Sequence, residues 1–214
     1  MTTRLTRKFV RAYLATPLKG VVTPNQVTTA RLLTGLLACL LLADGTRLYD
    51  ILGGIIWTIG CFLDRVDGEL ARLWHKTSTK GHIYDVASDA LSTILFFVAI
   101  GYGSPHAPVF ALNYLPIYPF TDPLSMGIIA GVSVTAAFVF SQAINPLLPD
   151  NQKAWQGDGW MDLDDIPYFF GIIAFVDALD TLLLAACLGA PLFAVWAAGR
   201  WLYLFIQTTL RRKQ

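Results

Sequence analysis

The 214-residue chain is 55% hydrophobic and 14% charged, with a mean hydropathy of +0.53, whereas charged residues make up near a quarter of an average soluble domain. That composition excludes a soluble globular enzyme and points to an all-α, polytopic membrane protein. At about 20 apolar residues per helical span, the length allows roughly six spans and leaves no room for a second globular domain, while a net charge of +1 argues against nucleic acid as a partner.

In chain order, residues 1–19 mix Arg4, Arg7, Lys8 and Arg11 with Leu5, Phe9, Val10, Tyr13 and Leu14. This pattern predicts a juxtamembrane amphipathic helix lying in the interface rather than a cleavable signal peptide. Apolar runs predict a bundle over 25–210, one membrane domain with the interfacial helix: span 1 at 25–43, span 2 at 48–74 and span 3 at 82–102. Span 2 is too long for the bilayer, and its polar last turns, 67–74, are expected to project from it. Residues 104–123 hold five prolines and no Lys or Arg, which reads as an interface-hugging loop before span 4 at 124–145. A polar, acidic stretch at 146–165 leads to span 5 at 166–188 and span 6 at 191–210, with a hairpin about Gly189. Cys39, Cys61 and Cys187 fall inside apolar runs without paired spacing and read as reduced packing residues.

Lys and Arg cluster before span 1, between spans 2 and 3 (Arg72, Lys76, Lys80) and after span 6 (Arg211, Arg212, Lys213), whereas the opposite loops offer only Arg47. The positive-inside rule therefore places both termini and the 2–3 loop in the cytoplasm.

Ionisable groups at membrane depth are costly, so Asp64, Asp67, Asp85 and Asp89 are the informative residues. Asp64, Asp67, Gly68, Ala71 and Arg72 share one helical face, and Gly81, Asp85 and Asp89 share a face of the next helix. If those faces meet, like charges crowd together unless cations neutralise them. An oxygen-only set without His or Cys suits Mg²⁺ or Mn²⁺ better than zinc or copper. Gly68, Ala71 and Gly81 leave room for a bulky ligand, or let two helices pack closely. Asn25, Thr28 and Arg31 recur on one face of span 1 and either face a ligand or cap and anchor the helix. Asp177, Asp180 and Arg200 are expected to form a structural ion pair across the last hairpin. Small residues on span 4 (Gly127, Gly131, Ser133, Ala137) permit close contact between two copies.

The series Asp64-x-x-Asp67-Gly68-x-x-Ala71-Arg72, eight residues, Gly81-x-x-x-Asp85-x-x-x-Asp89 resembles, position for position, the signature of the CDP-alcohol phosphatidyltransferases, integral membrane enzymes of phospholipid synthesis. The run Pro24-Asn25-Gln26-Val27-Thr28-Thr29-Ala30-Arg31 is similar to the segment that opens their first span. The resemblance implies transfer of a phosphatidyl group from CDP-diacylglycerol to a small alcohol with release of CMP. It also implies two Mg²⁺ or Mn²⁺ ions and a homodimer. It assigns Asp64, Asp67 and Asp85 to the metals and Asp89 to the base that deprotonates the acceptor, with metal ligation as well. It assigns Gly68, Ala71 and Gly81 to the cytidine pocket and Arg72 to the diphosphate, and favours the nucleotide for Asn25, Thr28 and Arg31.

The residue after the last aspartate is Ala90, where relatives using phosphorylated polyols often carry Lys or Arg. That departure, and the scarcity of cations on spans 4 to 6, favour an acceptor without a phosphate. A CDP-linked polar head group with diacylglycerol as acceptor is the alternative, since it would use the same aspartates. A cation transporter or channel would explain the acids but not the glycines beside them.

Overall fold

A computed structural model of the protein describes residues 12, 16–18, 21–74, 79–104, 122–148 and 166–211. Six helices follow in order: α1 (Pro24–Leu42), α2 (Arg47–Trp74), α3 (Thr79–Gly103), α4 (Pro123–Ile144), α5 (Ile166–Phe175) and α6 (Leu179–Arg211), with a helical turn at Thr16–Leu18 and a 3₁₀ turn at Asn145–Leu147. The described residues contain no strand. Most of the expected interfacial helix, the 105–121 loop and the acidic 149–165 stretch lie outside the described residues.

The sequence starts α1 with a capping box. Thr23 Oγ1 accepts from the Gln26 amide at 3.4 Å, the Gln26 side chain accepts from the Thr23 amide at 2.8 Å, and Pro24 occupies the first turn. The return into α2 passes through Gly45 at φ +73°, where a Cβ would stand 1.9 Å from the Gly103 carbonyl oxygen. Only glycine fits there. α1 packs on α2 and α3, α3 on α4, α4 on α6, and α2 on α5.

Among the described residues, four helices are long and apolar enough to cross a membrane: Pro24–Leu42, Thr79–Gly103, Pro123–Leu147 and Leu179–Leu210. Large apolar side chains such as Leu33, Leu40, Val132 and Val195 are exposed on them, which suits contact with lipid. The protein is an integral membrane protein. α2 is about 42 Å long at 1.5 Å per residue, but it carries Asp50, Asp64, Arg65 and Asp67 along that length.

The expected fifth and sixth spans need correction. The apolar run 166–188 breaks at Val176–Ala178, not at Gly189. The Ala178 amide reaches back to the Ile173 carbonyl and the Asp177 amide to that of Ala174, with Asp177 left-handed at φ 64°. These two bonds form a Schellman ending. Arg47 closes it by donating to the Ala174 and Phe175 carbonyls and by pairing with Asp177 at 3.4 Å, a cation on the negative end of the helix dipole. α5 is therefore ten residues long, and α6 runs unbroken through Gly189 and Pro191. Apolar periodicity cannot see this stop, because a carboxylate side chain stands where glycine is usual.

An aromatic floor fixes the bundle below the site. The Phe96 ring lies 4.3 Å from that of Trp57 and 5.0 Å from that of Phe170, with Phe97 edge-on at 5.4 Å from Phe96. Trp57 Nε1 donates to the Pro167 carbonyl at 3.2 Å and Tyr168 Oη to that of Cys61 at 2.6 Å, so α5 is tied antiparallel along the first half of α2. The close approach of Gly127 and Gly131 is made within the chain. A Cβ on Gly127 would stand 2.4 Å from the Phe97 carbonyl oxygen and one on Gly131 2.9 Å from Ile94, so these glycines serve the α3–α4 contact and give no support to a dimer.

Candidate active site

The site forms where the first turns of α1 meet the last turns of α2 and the first turns of α3. Helical spacing sets Thr28 and Arg31 on one face of α1, and both are buried. Arg31 Nη1 donates to Asp64 Oδ1 at 2.7 Å and to Asp89 Oδ1. Its Nη2 donates to Asp85 Oδ1 at 2.8 Å and to the Asp85 carbonyl at 3.3 Å. Thr28 Oγ1 donates to Asp67 Oδ2 at 3.0 Å. α1 thus supplies a partner to each of the four aspartates, and the Thr29 hydroxyl, 2.9 Å from Tyr84 Oη, ties it to α3 as well.

One carboxylate oxygen from each of Asp64, Asp67 and Asp85 lies within 4.8 Å of the others, against about 4.2 Å between opposite oxygens around an octahedral Mg²⁺. Asp67 is buried, while the Asp64 and Asp85 side chains remain 45% and 37% exposed. Four carboxylates against one guanidinium leave an excess of negative charge at reduced dielectric. The donor set is all oxygen, compact and anionic, so these residues fit a hard divalent cation. Asp89 stands beside the trio on the Arg31 guanidinium, and with Asp64 it lines both nearby cavities.

The remaining expected residues fall as follows. Gly68 is open: a Cβ there would meet only Arg72 Nη2, at 4.0 Å. Ala71 and Gly81 are partly buried on α2 and α3. Arg72 is largely exposed and pairs with the buried Glu69. Asn25 is exposed on the first turn of α1, its carbonyl accepting from the Thr29 hydroxyl at 2.9 Å. Thr28 and Arg31, expected at the nucleotide, donate to the aspartates. The spacing located their face but not their partners, because a helical period says nothing about which neighbour that face meets. The ion pair expected between Arg200 and Asp177 or Asp180 does not form across a hairpin. Asp180 and Arg200 stand on one continuous helix about 30 Å apart, Asp177 pairs with Arg47, and the Arg200 guanidinium lies 5.4 Å from the Trp196 ring centre.

Two cavities open onto these groups. The smaller, of about 80 Å³, lies between Arg31, Asp64, Asp89, Trp57 and Tyr168. The larger, of about 480 Å³, lies between α3, α4, α5 and α6 with Asp64 and Asp89 on its wall. Sequence reading missed two polar residues on its wall, Thr135 and Ser141, whose hydroxyls are buried without a hydrogen-bond partner. Their only signal was a hydroxyl residue in an otherwise apolar span.

Parts of the chain are similar in sequence to known proteins. A stretch of 83 residues, 37% of the chain, is 43% identical to the archaetidylinositol phosphate synthase of Pyrococcus horikoshii and covers 42% of that protein. A stretch of 89 residues, 41% of the chain, is 34% identical to the bifunctional IPC transferase and DIPP synthase of Thermococcus kodakarensis and covers 19% of it. The matches therefore span less than half the length of either relative. The model of one family, CDP-alcohol phosphatidyltransferase, matches residues 21–198, a range that takes in every aspartate of the site and all of α1 to α5, and the chain belongs to that family.

Proposed function

We propose that the protein transfers a phosphatidyl group from CDP-diacylglycerol to a small alcohol that carries no phosphate, releasing CMP. The observation that carries the reading is the gathering of Asp64, Asp67 and Asp85 within 4.8 Å of one another, with Asp89 adjoining. Asp64, Asp67 and Asp85 would hold Mg²⁺ or Mn²⁺, two ions in this reading, with Asp89 as a further ligand. When bound, the metal neutralises the donor diphosphate and stabilises the departing CMP. Asp89 accepts the proton of the acceptor hydroxyl, and Gly68, Ala71 and Gly81 receive the cytidine with Arg72 at the diphosphate. Asn25 joins them at the nucleotide in this reading. Thr28 orients Asp67 by its hydrogen bond, and Arg31 holds Asp64, Asp85 and Asp89 together.

Charge supports an acceptor without a phosphate. One relative is named for archaetidylinositol phosphate, but between Lys80 and Arg200 the present chain holds a single Lys or Arg, Lys153. An anionic acceptor would find few charge-assisted donors there. The distribution of Lys and Arg supports a cytoplasmic site and cytoplasmic termini. A homodimer and a single catalytic membrane domain over the whole chain complete the reading.

The test is CMP release by purified protein in Mg²⁺ or Mn²⁺ with a panel of alcohols, comparing labelled CDP-diacylglycerol with CDP-linked polar head groups plus diacylglycerol. Release from CDP-diacylglycerol is expected. Release only from a CDP-linked head group would reverse the roles of donor and acceptor, and release from neither would sink the reading.

A further inference from the structure

The geometry points to the 480 Å³ cavity between α3, α4, α5 and α6 as the subsite of the acceptor, and to an uncharged alcohol read by the Thr135 and Ser141 hydroxyls as its occupant. This rests on the transferase reading given above and narrows its acceptor.

The first support is an unsatisfied pair of polar groups. Ser141 is 95% buried, and its Oγ and that of Thr135 have no hydrogen-bond partner although both residues line the cavity. A hydroxyl in a transmembrane helix usually turns back onto a carbonyl of its own preceding turn. These two do not, whereas Thr58, Thr208 and Thr209 do so at 2.8 to 2.9 Å. A buried hydroxyl left unpaired costs about 1 to 3 kcal/mol, so a ligand that hydrogen-bonds them recovers that cost on binding.

The second support is what stands on the cavity wall. Asp64 and Asp89 are among its lining residues, so a hydroxyl placed beside them meets the proposed base. The oxygen of the alcohol would form a bond to the phosphatidyl phosphorus as its proton passes to the Asp89 carboxylate. The bond from that phosphorus to the bridging oxygen would break, and CMP would leave with that oxygen.

The third support is the chemistry of the wall. Among the described lining residues the only charged ones are Asp64 and Asp89, and the remainder is built largely of Val86, Phe97, Phe138, Phe170 and Phe193 with small alanines. A phosphate would meet two carboxylates and, among the described lining residues, no Lys or Arg. The ammonium and carboxylate of an amino-acid alcohol would both be drawn from water, and the carboxylate would have no charged partner. A neutral alcohol loses little on entry and gains two hydrogen bonds.

The experiment uses the full-length protein in nanodiscs with CDP-diacylglycerol and Mg²⁺. CMP release is measured with glycerol, inositol and a short-chain monoacylglycerol as neutral acceptors, with serine as a zwitterion, and with glycerol phosphate as an anion. Turnover is expected with a neutral acceptor and not with the charged ones. Thr135→Val and Ser141→Ala should each raise the KM for that acceptor by about tenfold while leaving the KM for CDP-diacylglycerol unchanged and without lowering the melting temperature. Thr135→Ser, which keeps the hydroxyl, should restore the wild-type value. Preferred turnover of serine or glycerol phosphate overturns the assignment, as does an unchanged acceptor KM in both variants. A rise confined to the donor KM gives the cavity to the donor's acyl chains and overturns it as well. Loss of CMP release with every acceptor in the wild-type protein defeats the transferase reading itself, a result distinct from turnover that ignores Thr135 and Ser141.

Discussion

The two halves of the bundle handle charge in opposite ways. α1 to α3 carry acidic and basic groups deep along their length, whereas α4 and α5 hold no Asp, Glu, Lys or Arg and α6 holds its few near its ends and at Arg200. In the first half each signature aspartate meets a donor on α1, Arg31 for three and Thr28 for the fourth. Because charge at membrane depth survives only where it is paired or wet, the first half is suited to a diphosphate and its cation. The second half can only supply shape and hydroxyls. The division explains why a signature confined to 64–89 is enough to mark the donor chemistry and is silent about the acceptor.

The sharpest way to break that division is at the aspartates. Asp89→Asn keeps the shape of the side chain and removes the proton acceptor, so turnover should fall by about two to four orders of magnitude. Affinity for Mg²⁺ and for a soluble CDP analogue should largely persist. Asp67→Asn should lose the metal affinity itself and nucleotide affinity with it. Calorimetric titration of both variants separates the roles. Equal loss of metal binding in both would make Asp89 chiefly a ligand and move the base elsewhere.

Next in size is Arg31, whose side chain is 8% exposed against 35 to 45% for its three partners. Breaking a fully buried pair costs about 3 to 5 kcal/mol. Solvent at the partners lowers the expected loss for Arg31→Gln to about 2 kcal/mol. Thermal unfolding in detergent should show the loss most clearly in EDTA, with Mg²⁺ recovering part of it because a divalent cation neutralises the same carboxylates. An equal loss with and without Mg²⁺ would show that Arg31 serves packing rather than charge.

Much of the charged half was legible in the sequence, because carboxylates on a helical period in an apolar chain have few explanations. The face of α1 was legible too, as the recurrence of Asn25, Thr28 and Arg31. What that face touches was not, since Arg31 meets residues 33 to 58 positions away. The neutral half was read less well. Its helices are apolar on nearly every side, so the run 166–188 offers no periodic sign of its break, and Gly189 invited a turn that Asp177 makes instead. The orphan hydroxyls of Thr135 and Ser141 became informative only once a cavity stood in front of them.

Two glycine variants sharpen the comparison where the halves join and within the second half. Gly127→Ala sets a Cβ 2.4 Å from a backbone oxygen of α3, so the helices must separate, and a loss of about 1 to 3 kcal/mol is expected. Gly189 has nothing within 4 Å of its Cβ position and lies inside unbroken α6. Gly189→Ala should therefore stabilise by about 0.5 to 1 kcal/mol. Comparing the two melting temperatures reads both signs at once, and destabilisation by Gly189→Ala would restore a turn at that position.

The smallest expected effect lies at the start of α4, where the neutral half has its nearest carboxylate. Asp122 caps the helix, accepting from the Ser125 amide at 2.9 Å and the Ser125 hydroxyl at 2.5 Å. The hydrogen bonds from Ser125, side chain first and then backbone, hold its pKa below the ordinary carboxylate value. A group whose folded pKa is depressed contributes stability that is fully present above its unfolded pKa and is lost as pH falls through the folded one. Asp122→Asn keeps an oxygen acceptor at the cap but cannot titrate. Its melting temperature should lie slightly below that of the wild type at neutral pH, with the gap closing as pH drops below about 4. Melting curves from neutral pH into that acid range measure the gap directly. A gap that stays constant across the range would mean that the cap acts through its shape alone, and that the neutral half carries no pH dependence of its own at this end.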